Sequence, residues 1–245
     1  MARLLHIDSS PRGERSHTRR LTREFVETWR RLHARDTVSY RDIGTDPPGH
    51  VTQDWIAAAF SASDAHTPAM RSALSVSDRL VDELLNADVL VLGVPMYNFG
   101  IPAGLKAYID QVVRVGRTFS FEPQDKVAPY KPLTCGKRAF VIVASGDVGY
   151  EPGGPLAGLN QVEPYLRTVL AFIGIRDLDF VYVGNDEFGS DALASSFERA
   201  REALRELAGV TRIEQADGND QINRERRFVD RAAAAGCSER HPRIA

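Results

Sequence analysis

Short apolar runs alternate along this chain with longer stretches in which apolar residues return every three or four positions. Val89–Val94 and Ala139–Ala144 are continuous apolar runs bounded by turn residues, the pattern of parallel strands buried on both faces. Arg3–Asp8, Thr37–Ile43 and Leu178–Val183 read as three further strands. From Ser16 to about His33 a helical pattern puts Leu21, Phe25, Trp29 and Leu32 on one face. Pro68–Asn86 does the same with Leu74, Val81, Leu84 and Leu85 inward, and further helices are expected over about Pro102–Val115, Gln161–Phe172 and Ala192–Leu207. Gly44–His50 carries Pro47-Pro48-Gly49 and must turn. Thr52–Thr67 reads as a short helix and an excursion, and Gly116–Gly136 as an irregular excursion holding Phe119 and Phe121. Strand and helix alternating in this way predict a three-layer α/β sandwich: a five-stranded parallel sheet with helices on both faces and right-handed crossovers. One phosphate-type loop after the first strand favours the strand order 2-1-3-4-5. Beyond Gly209 the pattern fades, so residues 1–208 read as one domain. Residues 209–245 read as an appended tail, disordered or with one short helix near Asn223–Ala235.

Composition narrows the class. The chain has 245 residues, 43% hydrophobic and 26% charged, with a formal net charge of -2, which suits a soluble protein with one sizeable core. That charge argues against nucleic-acid binding, which calls for a basic surface. No apolar run approaches the ~20 residues of a membrane span, and the N-terminal residues lack a signal-peptide core. Cys135 and Cys237 stand far apart, supporting neither a disulfide framework nor a metal site, so a cytoplasmic setting is expected.

The strand order brings the loops after strands one, three and four to one crevice. The first, Ser9–Thr18, is rich in hydroxyls and opens a helix. Exposed amides and the positive end of the helix dipole suit it to a phosphate cradle; the alternative reading is that Ser16 merely caps the helix. It has neither a Walker sequence nor GxGxxG. The second loop, Met96–Gly100, offers a thioether, two aromatics and one amide but no charge; it suits a flat ring unless Tyr97 and Phe99 merely plug the core. The third, Ser145–Tyr150, has glycines that allow a ligand close to the backbone. A phosphate at one end and a planar ring at the other describe flavin mononucleotide, FMN. A single cradle without a dinucleotide fingerprint disfavours FAD.

The residues Ser9-Ser10, Ser16-His17-Thr18, PMYNFGIPAGLKAYID at Pro95–Asp110, GRTFSF at Gly116–Phe121 and VEPYLRTVLAFIGI at Val162–Ile175 resemble the FMN-dependent NADH:quinone oxidoreductases and azoreductases of the flavodoxin-like superfamily. The resemblance implies that Ser10, Ser16, His17 and Thr18 hold the phosphate. It implies that Met96, Tyr97, Asn98, Phe99 and the Ser145 loop contact the ring. In that loop Ser145, Gly146, Asp147 and Gly149 replace the family's Ser-Arg-Gly-Gly. Phe121 and Phe172 match family positions that line the substrate cleft from a neighbouring subunit, so a homodimer is expected; Tyr150 is added to that cleft. NADH, or NADPH, is the implied donor, and quinones and azo compounds the acceptors. No catalytic side chain is essential on this reading; Asn98 and the Gly146 amide tune the ring, and His17 contributes its backbone N–H rather than its imidazole. A flavodoxin-type electron carrier and a non-catalytic flavin-binding module are the alternatives, and the near-neutral charge disfavours the carrier.

Overall fold

The computed structural model describes residues 1–187 and 189–209. Its elements are β1 (Arg3–Asp8), α1 (His17–Leu32), β2 (Thr37–Asp42), α2 (Gln53–Ala59), α3 (Pro68–Asn86), β3 (Val89–Pro95) and α4 (Ala103–Val112). Then follow β4 (Phe119–Phe121), β5 (Tyr130–Pro132), β6 (Arg138–Ala144), α5 (Val162–Ile173), β7 (Asp177–Val183) and α6 (Ser190–Gly209). Five strands form a sheet in the order β2-β1-β3-β6-β7, every pair parallel. This is the expected 2-1-3-4-5 arrangement, with a small hairpin interposed in the chain.

Period-two alternation divides the core. Leu5, Ile7, Leu90, Leu92, Val141 and Val143 face α3, α4 and α5. Leu4, Val89, Val91, Phe140, Ile142 and Val181 face α1 and α6. All of β3 is buried, as its uninterrupted apolar run requires. The expected short helix after Thr52 is α2, capped by the Thr52 hydroxyl on the Trp55 amide.

Three expectations are corrected. Leu32 is not inward but 56% exposed: it is the last residue of α1, and Trp29 fills the inward position of that turn. The Gly116–Gly136 excursion is not wholly irregular: β4 and β5 pair antiparallel, Phe119 opposite Pro132 and Phe121 opposite Tyr130. Strands of three residues are too short to leave a periodic signal. Cys135 is disulfide-bonded, against the expectation that the cysteines support no disulfide framework. The tail expected from 209 onward lies, beyond its first residue, outside the described residues.

Candidate functional site

The carboxyl ends of β1, β3 and β6 are neighbours in the sheet, so the three predicted loops converge. In the first, the Ser9 hydroxyl donates to the Gly93 carbonyl at 2.7 Å. Ser10 is fully buried, and its hydroxyl accepts from the Arg12 amide at 3.3 Å. Ser16 caps α1, accepting from the Arg19 amide at 3.3 Å, and its hydroxyl lies 3.0 Å from that of Thr18. Ser16 therefore does cap the helix, and the capping hydroxyl belongs to a buried pair. Among the described residues the His17 and Thr18 amides donate to no protein acceptor. Two unpaired N–H groups and two buried hydroxyls at the positive end of a 16-residue helix form an anion-binding donor set.

The His17 imidazole is otherwise engaged. Its Nε2 lies 2.7 Å from Asp186 Oδ1, while Arg12 Nη1 donates to Asp186 Oδ2 at 2.8 Å. The Arg12 guanidinium and then His17 hold the Asp186 carboxyl below its usual range. This leaves the backbone N–H of His17 to face an anion. His6, by contrast, is buried beside Tyr40.

The second loop is a tight turn. Tyr97 and Gly100 exchange amide–carbonyl bonds, each 3.0 Å, while Asn98 (φ 47°) and Phe99 (φ 68°) occupy the left-handed region. This is the dihedral pattern of a type I′ turn, which Asn tolerates but which costs a side chain such as Phe99 about 1–2 kcal/mol. Met96 packs against the core, whereas Tyr97 is 37% and Phe99 47% exposed. The aromatics therefore do not plug the core; the turn combines strained backbone with exposed rings, which suits it to facing a ligand.

The third loop is fastened to the second. The Phe99 carbonyl accepts from the Gln161 amide at 2.9 Å, and the Tyr150 carbonyl accepts from Asn160 Nδ2 at 2.9 Å, so consecutive residues before α5 hold both loops. The Phe99 and Tyr150 rings lie 6.5 Å apart. Ser145 donates its hydroxyl to the Asp147 carbonyl at 2.6 Å, and Asp147 Oδ1 accepts from the Val148 amide at 2.7 Å. Gly149 has φ 89°, which accounts for glycine there. Among the described residues the Gly146 and Asp147 amides donate to no protein acceptor, leaving two donors for a polar ring edge.

Phe121 and Phe172 do not join these loops within one chain. Phe172 stands ten residues along α5 from Val162, about 15 Å at 1.5 Å per residue. There it packs with Phe119 (ring centroids 4.9 Å apart) and Tyr130 (5.7 Å), and Phe121 stacks on Tyr130 at 5.1 Å. A fourth loop was not foreseen. Beside Asp186, the Glu187 amide donates to the Gly146 carbonyl at 3.2 Å, and its carboxylate lies so close over Gly146 that a side chain there would collide with it. The segment after β7 thus touches both the first loop and the third. Asn185 (φ 71°) marks a turn in the sequence, but nothing in its pattern names the turn's partners.

A family model described as a flavodoxin-like fold matches residues 2–208. An FMN-dependent NADH:quinone oxidoreductase of Trichormus variabilis is 48% identical over 204 residues, 83% of this chain and 97% of its own length. The chain belongs to this family of flavodoxin-like oxidoreductases. Another member, an FMN-dependent NAD(P)H:quinone oxidoreductase of Pseudomonas aeruginosa, is 43% identical over 209 residues, 85% of this chain and 99% of its own. Among solved structures, an azoreductase from Bacillus anthracis superposes with a TM-score of 0.75 at 26% identity, covering 85% of this chain and 99% of that one. Within this oxidoreductase family, no described helix of the present chain is long and apolar enough to cross a membrane.

Proposed function

We propose that this protein is an FMN-dependent NADH:quinone oxidoreductase that also cleaves aromatic azo compounds reductively, with NADPH as an alternative donor. The observation that carries this reading is the pairing of two ends in one crevice. One end has the unpaired amides of His17 and Thr18 beside the buried Ser16–Thr18 hydroxyl pair; the other has the strained, exposed Tyr97–Gly100 turn. The first suits a phosphate and the second a flat, largely uncharged ring, so the donor set fits FMN. Bound FMN supplies the chemistry: hydride accepted from the nicotinamide and two electrons delivered to the acceptor.

The chain's own part is binding, orientation and polarity. Ser10, Ser16, His17 and Thr18 hold the phosphate. Met96, Tyr97, Phe99 and Ser145 form walls for the ring, and Asn98 with the Gly146, Asp147 and Gly149 backbone supplies its polar edge. Unpaired amides aimed at an edge where negative charge develops stabilise that charge without reorganising. No side chain is assigned an essential proton transfer. Tyr150 lies at the open side of the crevice, while Phe121 and Phe172 complete the cleft from a second subunit. One open site serving donor and acceptor in turn makes the kinetics ping-pong. The protein acts as a homodimer.

Visible spectroscopy and stopped-flow mixing test the reading. The purified protein is expected to show flavin absorbance, to bleach rapidly with NADH and to recover rapidly with a quinone. Bleaching without recovery would point to a flavin-binding module, and failure to bind FMN would overturn the cofactor assignment.

A further inference from the structure

Ser10 forms one lip of the cradle and Ser16–Thr18 the other, and what joins them is a buried arginine. Arg19 is 7% exposed. Its Nε and Nη2 both donate to the Ser10 carbonyl, at 2.8 and 2.7 Å. The remaining face of the guanidinium is clamped by Asp42, with Nη1 to Oδ2 at 2.8 Å and Nη2 to Oδ1 at 2.5 Å; Nη1 also donates to the Tyr40 hydroxyl at 3.0 Å. Asp42 is fixed in turn by the Gly44 and Thr45 amides at 3.0 and 3.1 Å. Gly44 lies so close to the Ser10 carbonyl that any side chain there would collide with it. Three segments therefore meet on one carbonyl oxygen: the first turn of α1, the loop after β1 and the turn after β2.

We propose that Arg19 is the positioning residue of the phosphate cradle, holding the Ser10 lip against the Ser16–Thr18 lip so that the donors converge on one anion. This rests on the cradle reading given above and adds what sets its shape. Two N–H donors from a planar group fix the orientation of the Ser10–Pro11 peptide in a way that a lysine ammonium does not. They also occupy a carbonyl oxygen that would repel a phosphate if it swung inward. Pro11 has no N–H and a fixed φ, and the Arg12 amide is held by Ser10 itself, so the lip has few other conformations once the guanidinium is in place. Asp42 acts one step further back, by orienting Arg19.

The test compares FMN with riboflavin, which carries the same ring without the phosphate. Full-length protein freed of flavin is titrated with each, following tryptophan and flavin fluorescence. Arg19→Met is expected to weaken FMN by about 10- to 100-fold, the size of one or two charge-assisted bonds, and riboflavin by less than about 3-fold. Arg19→Lys should fall between wild type and Arg19→Met. Asp42→Asn, which keeps the shape and removes the charge, should weaken FMN by about 3- to 10-fold and keeps the question open to measurement if Arg19→Met does not fold. A general packing role would lower both affinities together; an unchanged FMN-to-riboflavin ratio in these variants would overturn the inference. Equal affinity of the wild-type protein for FMN and riboflavin would instead overturn the cradle itself.

Discussion

The two ends of the crevice are built in opposite ways. At the phosphate end Ser10, Ser16, Thr18 and Arg19 are all buried, and the loop is tied down by ion pairs and hydrogen bonds from α1, β2 and the segment after β7. At the ring end Tyr97 and Phe99 are exposed on a turn with two left-handed non-glycine residues. The donors of the first end all come from one chain. The second has a wall but no cover. A phosphate is the same in every cycle, and a rigid set of donors binds it best because nothing must be reordered on binding. A surface that meets donor and acceptor in turn has to stay open.

If a second subunit covers the ring end as proposed, the sharpest way to break this comparison is to remove that cover alone. Phe121 and Phe172 are 45% and 37% exposed, so their replacement by Asp should leave the five-stranded sheet and its helices intact while loosening the hairpin that packs on Phe172. The double variant is expected to weaken subunit pairing by about 100-fold, as loss of a central aromatic anchor does. Sedimentation should then show a monomer at micromolar concentration, with quinone turnover reduced and FMN still bound. A dimer of unchanged stability would remove the aromatic cluster from the interface. The matching change at the closed end is Ser16→Ala with Thr18→Ala. It should cost FMN binding roughly 1–3 kcal/mol, read by equilibrium titration, and leave the oligomeric state alone. Ser16→Ala alone should also lower thermal stability, because it deletes the α1 cap.

How much of each end was legible in the sequence follows from the kind of interaction that builds it. The strands, their order and the three loops were read correctly because buried parallel strands and the turns that end them leave local patterns. The turn from Tyr97 to Gly100 was legible as a loop but not as strained backbone, since Asn98-Phe99 lacks the glycine that usually announces a type I′ turn. The bonds that shape the closed end leave no local trace. Arg19 meets Asp42 across 23 positions, and His17 meets Asp186 across 169. Leu32 was misread because periodicity gives a face and not the residue at which a helix stops. The β4–β5 hairpin was missed because its aromatics pack mainly with Phe172 on α5, a partner that only the tertiary fold supplies.

A smaller effect distinguishes the two ends by pH. Burial pushes the Asp42 carboxyl upward, but the hydrogen bonds from Arg19 and Thr45 outweigh it and bring it down to about 2 from an ordinary value of 3.8. A carboxyl lowered in the folded state contributes stability that is complete above its unfolded value and lost as pH falls through its folded one. The contribution of the Asp42–Arg19 pair should therefore be constant above about pH 4 and vanish near pH 2. Denaturant unfolding of wild type and Asp42→Asn is expected to differ by about 1–2 kcal/mol at pH 6, allowing for the partial exposure of the pair. The difference should close between pH 4 and 2. A difference that persisted at pH 2 would show that packing, not charge, holds the brace.

The smallest effects are expected at the acids nearest the ring. Asp147 turns its carboxylate back onto the Val148 amide, and Tyr150 is held through its carbonyl while its ring lies near Phe99. Neither side chain is oriented by a second polar group, as a general acid normally must be. General acid–base catalysis contributes a factor of about 100 to 10,000 where it operates. Asp147→Asn and Tyr150→Phe should each change quinone turnover by less than about tenfold, because a quinol can take its protons from water at an open crevice. A loss of about 1,000-fold in either variant, with FMN bound and still reduced by NADH, would identify a proton donor and end the view of the ring end as a passive wall. Azo cleavage is the more demanding probe, since both nitrogens must be protonated and four electrons delivered over two cycles. If Tyr150→Phe slowed azo cleavage while leaving quinone reduction unchanged, one proton would be assigned to Tyr150 and the open end would carry chemistry for one substrate class only.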